Sequence, residues 1–152
     1  MNTQQIEQKL MSDRATSEYF IGVFAADQLP TVKINQDVWL LVCNCCPINM
    51  PGEHWIALFG NARQEIEMFD SFGFSPNVYD GVHKFIREQH PTLLRYNIHQ
   101  LQSLDSDACG PYCILYAYYR SRGWTLDSIV ENIVERMNRD DFIKFIVENV
   151  MY

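Results

Sequence analysis

A continuous apolar run, DVWLLVCNCC at residues 37–46, limits the folds open to this chain. It is rich in strand formers and is stopped by Pro47. An apolar run without polar alternation belongs to a strand covered on both faces. HWIALF (54–59) and EIEMFD (65–70) follow on either side of GNARQ. The pair reads as a β-hairpin with a loop of several residues.

Helical patterns surround these strands. Residues 2–12 place Ile6 and Leu10 on one face of a short helix, and YFIGVF (19–24) reads as a strand ended by DQLP. Ser75 is an N-cap with Pro76 at the first helical position, and Val78, Val82, Phe85 and Ile86 carry a helix to about Gln89. RYNIHQ (95–100) alternates like a strand, and a helix spans about 109–121 with Gly123 as its C-cap. Thr125 caps a helix whose inward stripe is Leu126, Ile129, Val130, Ile133, Val134 and Met137. Asn138 caps the last, with Phe142, Ile143, Ile146 and Val150 inward. Strands cluster centrally with helices before and after, which predicts one α+β domain over 1–152. Its central sheet is expected to be mostly antiparallel, with 124–152 a helical pair packed on it.

The chain has 152 residues, 47% of them hydrophobic, enough for a core without staples. The net charge of −7 is a poor match to nucleic acid or anionic lipid. The opening MNTQQIEQKL is polar, without a signal-peptide pattern, and no apolar run approaches a membrane span. Five cysteines (Cys43, Cys45, Cys46, Cys109 and Cys113) in that setting predict reduced, intracellular thiols kept for packing or chemistry.

Among them Cys109 is singled out by LDSDACGPYCILY (104–116). Pro111 lacks an N–H and belongs in a first helical turn, so the helix begins between Ala108 and Pro111. Cys109 then lies where free N–H groups and the helix dipole favour a thiolate. Gly110 leaves room for a substrate backbone. The same position also suits a small buried hydrophobe. A thiol nucleophile needs a base, and the histidines are His54, His83, His90 and His99. His83 and His90 belong to an amphipathic helix, and His99 has no other mark. His54 opens a strand after a PGE turn. Counting inward from GNARQ, it falls at the outer end matching Asp70, an acceptor able to orient it. The alternative role for Asp70 is to cap the SFGF turn. The Cys109 N–H and a side-chain amide, Gln100 or Gln102, are candidate oxyanion donors.

HW (54–55), MFDSFGFSP (68–76) and QSLDSDACG (102–110), with FIGVF near the start, resemble the active-site segments of the adenovirus-type cysteine proteases, the adenain family, which is grouped with the SUMO-specific proteases. The resemblance covers about 19–122. It implies a papain-like site in the order His54, Asp70, Gln102, Cys109, and its seven-residue step from Gln to Cys selects Gln102. It further implies Cys109 as nucleophile, His54 as base and then acid, and Asp70 as orienter. Gln102 with the Cys109 N–H would hold the oxyanion, and Trp55 would shield the His54–Asp70 contact beside the substrate. Cleavage would fall after glycine, at Gly-Gly or Gly-X-Gly sites of viral precursor polypeptides during capsid maturation. The chain would then act in a host nucleus or virion.

Members of that family are activated by a disulfide-linked peptide and by DNA. Between Pro47 and Ala108 this chain has no cysteine, so it is expected either to be constitutively active or to be activated, by a peptide, without that link, and the acidic balance speaks against DNA. The expectation is a monomer with no cofactor and no metal. Cys43, Cys45 and Cys46 with His54 lack a second ligand pair at zinc spacing. Cys113, one turn after Cys109, is either core or a resolving thiol. Two other readings stand beside the endopeptidase. One is an isopeptidase removing a ubiquitin-like modifier of SUMO or NEDD8 type, and the other is a non-catalytic interaction domain.

Overall fold

Every residue of the 39–44 strand is buried because helices cover the sheet on both sides. The computed structural model describes residues 1–46 and 54–151. Pro47 and the PGE turn lie outside the described residues. The elements run α1 (Thr3–Ser12), α2 (Arg14–Ser17), β1 (Phe20–Ala25), β2 (Trp39–Asn44), β3 (Trp55–Gly60), β4 (Glu65–Phe69), α3 (Asp80–Glu88), β5 (Leu93–Tyr96), α4 (Cys109–Arg120), α5 (Leu126–Val134) and α6 (Arg139–Asn149). This is an α+β fold built on a five-stranded sheet in the order β1-β2-β3-β4-β5. The two central ladders, β2–β3 and β3–β4, are antiparallel. The outer pairs, β1–β2 and β4–β5, are parallel.

Side chains alternate between two cores, as the strand period requires. Leu40, Val42, Trp55, Ala57, Phe59 and Phe69 pack beneath α1, α4, α5 and α6. Trp39, Leu41, Cys43, Ile56, Leu58, Ile66 and Met68 meet Val82, Phe85 and Ile86 of α3 on the opposite face. Leu126, Ile129, Val130 and Ile133 of α5, with Ile143 and Val147 of α6, join the same core as α4.

Several helix details differ from the sequence pattern. Ser75 caps a 3₁₀ turn, Pro76–Val78, and the α-helix restarts only at Asp80, because Tyr79 between them is extended (φ −113°, ψ 91°). Val78 is therefore exposed rather than inward. Val134 and Met137 also face solvent, since α5 ends at Val134. Asn138 is left-handed (φ 50°) and makes no side-chain cap; Ile143 and Val147 are buried, Phe142 and Ile146 pack partly buried against the same core, and Val150, just past the helix end at Asn149, is exposed. The strand expected over 95–100 is β5, Leu93–Tyr96, and the chain leaves the sheet at Asn97. α4 ends with Ser121 as its cap, two residues before Gly123.

One buried polar contact ties α4 to the sheet. Glu67 Oε2 on β4 accepts from Arg120 Nε at 2.7 Å and Tyr116 Oη at 3.0 Å, and the Arg120 guanidinium lies 4.0 Å over the Phe59 ring. Removing one partner of a buried pair leaves the other uncompensated. Glu67→Ala is expected to lower unfolding free energy by about 3–5 kcal/mol, read from denaturant midpoints.

Candidate active site

His54 immediately precedes β3, Asp70 immediately follows β4, and Cys109 is the first residue of α4. The three side chains are buried at that end of the sheet: His54 is 5% exposed, Asp70 0% and Cys109 9%. The His54 Nε2–H donates to Asp70 Oδ1 at 2.6 Å. With its proton on Nε2, the ring offers the lone pair of Nδ1, a buried atom with no conventional hydrogen-bond partner among the described residues. Cys109 is, with Asp70, a titratable group that interacts with the ring.

The hairpin explains how this contact arises, and it is a diagonal one. Asn61 closes the loop: its N–H donates to Glu65 O, its side-chain oxygen accepts from the N–H groups of Arg63 and Glu65, and Gln64 takes a left-handed φ of 59°. This three-residue turn sets Gly60 against Ile66 and Ala57 against Phe69. Carried outward, the register sets Ile56 against Asp70 and His54 against Phe72. Asp70 is thus the diagonal neighbour of His54 rather than its direct partner. Phe72 stacks on the imidazole instead, with ring centroids 4.4 Å apart.

Asp70 is held by more groups than the sequence suggested. Its Oδ1 also accepts the Phe72 N–H (2.8 Å), and its Oδ2 accepts Tyr79 Oη–H (2.7 Å) and the Phe74 N–H (3.3 Å). The capping of the SFGF turn and the orienting of His54 are therefore done by one carboxylate. Asn97 clamps the backbone of Asp70, accepting its N–H at 3.0 Å and donating to its carbonyl at 2.6 Å. The turn depends on Gly73, at φ 73°, where a Cβ would lie 2.6 Å from the His99 carbonyl oxygen.

Burial alone would push His54 toward its neutral form. Its hydrogen bonds and charge interactions with Asp70 and Cys109 outweigh burial and raise its pKa to about 9. Burial likewise opposes a Cys109 thiolate, but His54 and the backbone N–H groups of Trp55 and Gly110 hold the thiol below its ordinary range. The two shifts favour a thiolate–imidazolium pair. Cys113 and Cys43 go the other way: both are fully buried, and burial pushes their thiols up.

Gln102 and Gln100 separate cleanly. Gln102 is 1% exposed and engages Ser71 and the Ser106 carbonyl, while Gln100 is exposed and its Nε2 donates to the Gln102 carbonyl. Asp140 of α6 braces this loop, accepting the Ser103 N–H at 3.1 Å, and Lys144 of α6 pairs with Asp107.

Two expected roles change. The Trp55 side chain lies in the core shared with α4, and the ring covering His54 is that of Phe72; Trp55 reaches Cys109 through its backbone N–H. Gly110 is bare on the side of α1, where an added Cβ would lie 3.2 Å from Met1 Cβ and 3.4 Å from Ile6 Cδ1, so that room is filled by the chain's own N-terminal residues. His83 and His90 line a shallow groove along α3, and His99 is exposed. Tyr79, Phe72, Asn97 and Ser71 escaped the sequence reading. The one available signal was that two of them, Ser71 and Phe72, follow Asp70 directly in the SFGF turn.

No family model and no curated protein sequence matches the chain. Its fold is similar to that of the ASFV pS273R protease, with a TM-score of 0.59 and 19% identity over 97% of this chain and 66% of that one. The central domain of the uncharacterized Lpg1148 protein from Legionella pneumophila is also similar (TM-score 0.54, 14% identity, 87% of this chain and 85% of that one). The fold, a five-stranded sheet flanked by helices, is that of papain-like cysteine proteases. The chain spans 66% of the length of the ASFV protease.

Proposed function

We propose that the chain is a cysteine endopeptidase that cleaves after glycine, at Gly-Gly or Gly-X-Gly sites of viral precursor polypeptides during capsid maturation. The observation that carries the hydrolase reading is the Cys109 thiol, lowered at the head of α4 and facing a buried histidine whose Nε2 is fixed on a buried carboxylate. The glycine preference and the viral substrates rest on the motif resemblance.

In this reading the Cys109 thiolate attacks the scissile carbonyl carbon. The Cys109 N–H has no intrahelical acceptor and, with Gln102 Nε2, receives the oxyanion. As the tetrahedral intermediate collapses, His54 gives its Nδ1 proton to the departing amine and a thioester remains on Cys109. Water, deprotonated by Nδ1, attacks the thioester; the acid leaves and the thiolate–imidazolium pair is restored. The site needs no metal for these steps, and the proposed protein acts as a monomer without DNA.

The working state needs thiolate and imidazolium together. Activity is expected to rise with pH along a limb set by Cys109, below the ordinary thiol range, and to fall as His54 deprotonates near pH 9. The check is kcat/KM against pH on a Gly-Gly peptide amide.

The same chemistry hydrolyses an isopeptide bond behind a C-terminal glycine. The deciding experiment offers Gly-Gly and Gly-X-Gly peptides beside a SUMO or NEDD8 conjugate. Cleavage of the peptides after glycine supports the endopeptidase. Efficient cleavage of the conjugate alone assigns an isopeptidase.

A further inference from the structure

Ser71 follows Asp70 directly and is fully buried. Its Oγ lies 2.6 Å from Gln102 Oε1, and its carbonyl accepts the N–H groups of Leu101 (2.8 Å) and Gln102 (3.0 Å). At the far end of the same amide, Gln102 Nε2 donates to the Ser106 carbonyl at 2.6 Å. A carbonyl oxygen can only accept. Nε2 must therefore face Ser106, Oε1 must face Ser71, and the Ser71 hydroxyl must be the donor.

We propose that Ser71 is a positioning residue that fixes the Gln102 amide as an oxyanion donor. The inference rests on the role given to Gln102 above. Gln102 Nε2 carries two N–H groups; the Ser106 carbonyl takes one, and the second is the donor that the oxyanion role assigns to a substrate oxygen. The Ser71 hydroxyl decides which end of the amide does the donating. Its carbonyl sets where the Gln102 backbone lies. Because Ser71 is joined to Asp70, one dipeptide at the end of β4 holds both the orienter of His54 and the oxyanion donor. The base and the donor are thereby kept in a common frame, although they come from distant parts of the chain.

Losing the hydroxyl strands Oε1 of a buried amide without its partner and lets the amide turn. The thiolate–imidazolium pair does not contact Ser71 Oγ and should be untouched. The test compares Ser71→Ala and Ser71→Gly, each alone and combined with Gln102→Ala. It reads peptide hydrolysis, the pH dependence of Cys109 alkylation, and hydrogen exchange of the Gln102 side-chain amide by NMR. Expected are a fall in kcat of about ten- to a hundredfold, KM within about twofold, and no further loss in the Gln102→Ala background. Alkylation should keep its pH profile, and Gln102 amide protons should exchange at least about tenfold faster. An equal fold-loss in the Gln102→Ala background, or unchanged amide exchange, overturns the proposal. If Gln102→Ala costs no activity, the oxyanion role falls and this inference with it. The amide-exchange arm needs no substrate, so a failure to find a cleavable peptide leaves the positioning itself decided.

Discussion

Cys109→Ala is expected to abolish peptide hydrolysis, a fall in kcat on the order of a millionfold, because the other thiol on α4, Cys113, is fully buried and cannot take over as nucleophile. The fold should survive. Alanine fits the first helical position, and the loss of one buried sulfur costs about 1 kcal/mol, so circular dichroism and the cooperative melt should match the parent. Cys113→Ala is the control. That thiol is fully buried and pushed away from ionisation, and its loss should leave hydrolysis unchanged. Residual activity in Cys109→Ala would remove the nucleophile from the account.

Asp70→Asn is expected to lower kcat by about three to four orders of magnitude. Four donors converge on this carboxylate: His54 Nε2–H, the N–H groups of Phe72 and Phe74, and Tyr79 Oη–H. A carboxamide offers one acceptor oxygen and turns an NH₂ toward the remaining donors. His54 then loses the charge that holds its pKa near 9 and drifts back toward the ordinary imidazole range, where burial favours the neutral form. Without imidazolium the Cys109 thiolate loses its largest support. The signature is a double one: kcat falls, and the alkaline limb of the pH profile moves down. Loss of kcat with an unmoved limb would mean that Asp70 matters only for the turn.

The sequence revealed most where one local cause acts alone. Pro111 can sit only in a first turn, and α4 begins at Cys109. The unbroken apolar run became a strand buried on both faces because it alternates between two cores rather than between core and water. Where two causes compete, local pattern misled. The 75–89 segment has a continuous helical stripe, yet Tyr79 stays extended and its hydroxyl meets Asp70, so the helix restarts behind it. RYNIHQ alternates like a strand, yet Asn97 turns onto the Asp70 backbone and ends the pairing. In both cases hydrogen bonds to one buried carboxylate residue accompany the departure from local preference. The hairpin register escaped for a different reason. It depends on the Asn61 side chain and the left-handed Gln64, which a count across GNARQ does not contain. Cover for His54 was expected from its chain neighbour Trp55, but the register delivers Phe72.

The thiolate–imidazolium pair is tested most directly by alkylating the native chain with iodoacetamide across pH and quantifying each cysteine by mass spectrometry. Cys109 should be modified before Cys43, Cys45, Cys46 and Cys113, along a titration limb below the ordinary thiol range. His54→Ala should move that limb back up. A Cys109 that titrates like a free thiol, or a limb that ignores the loss of His54, would contradict the account.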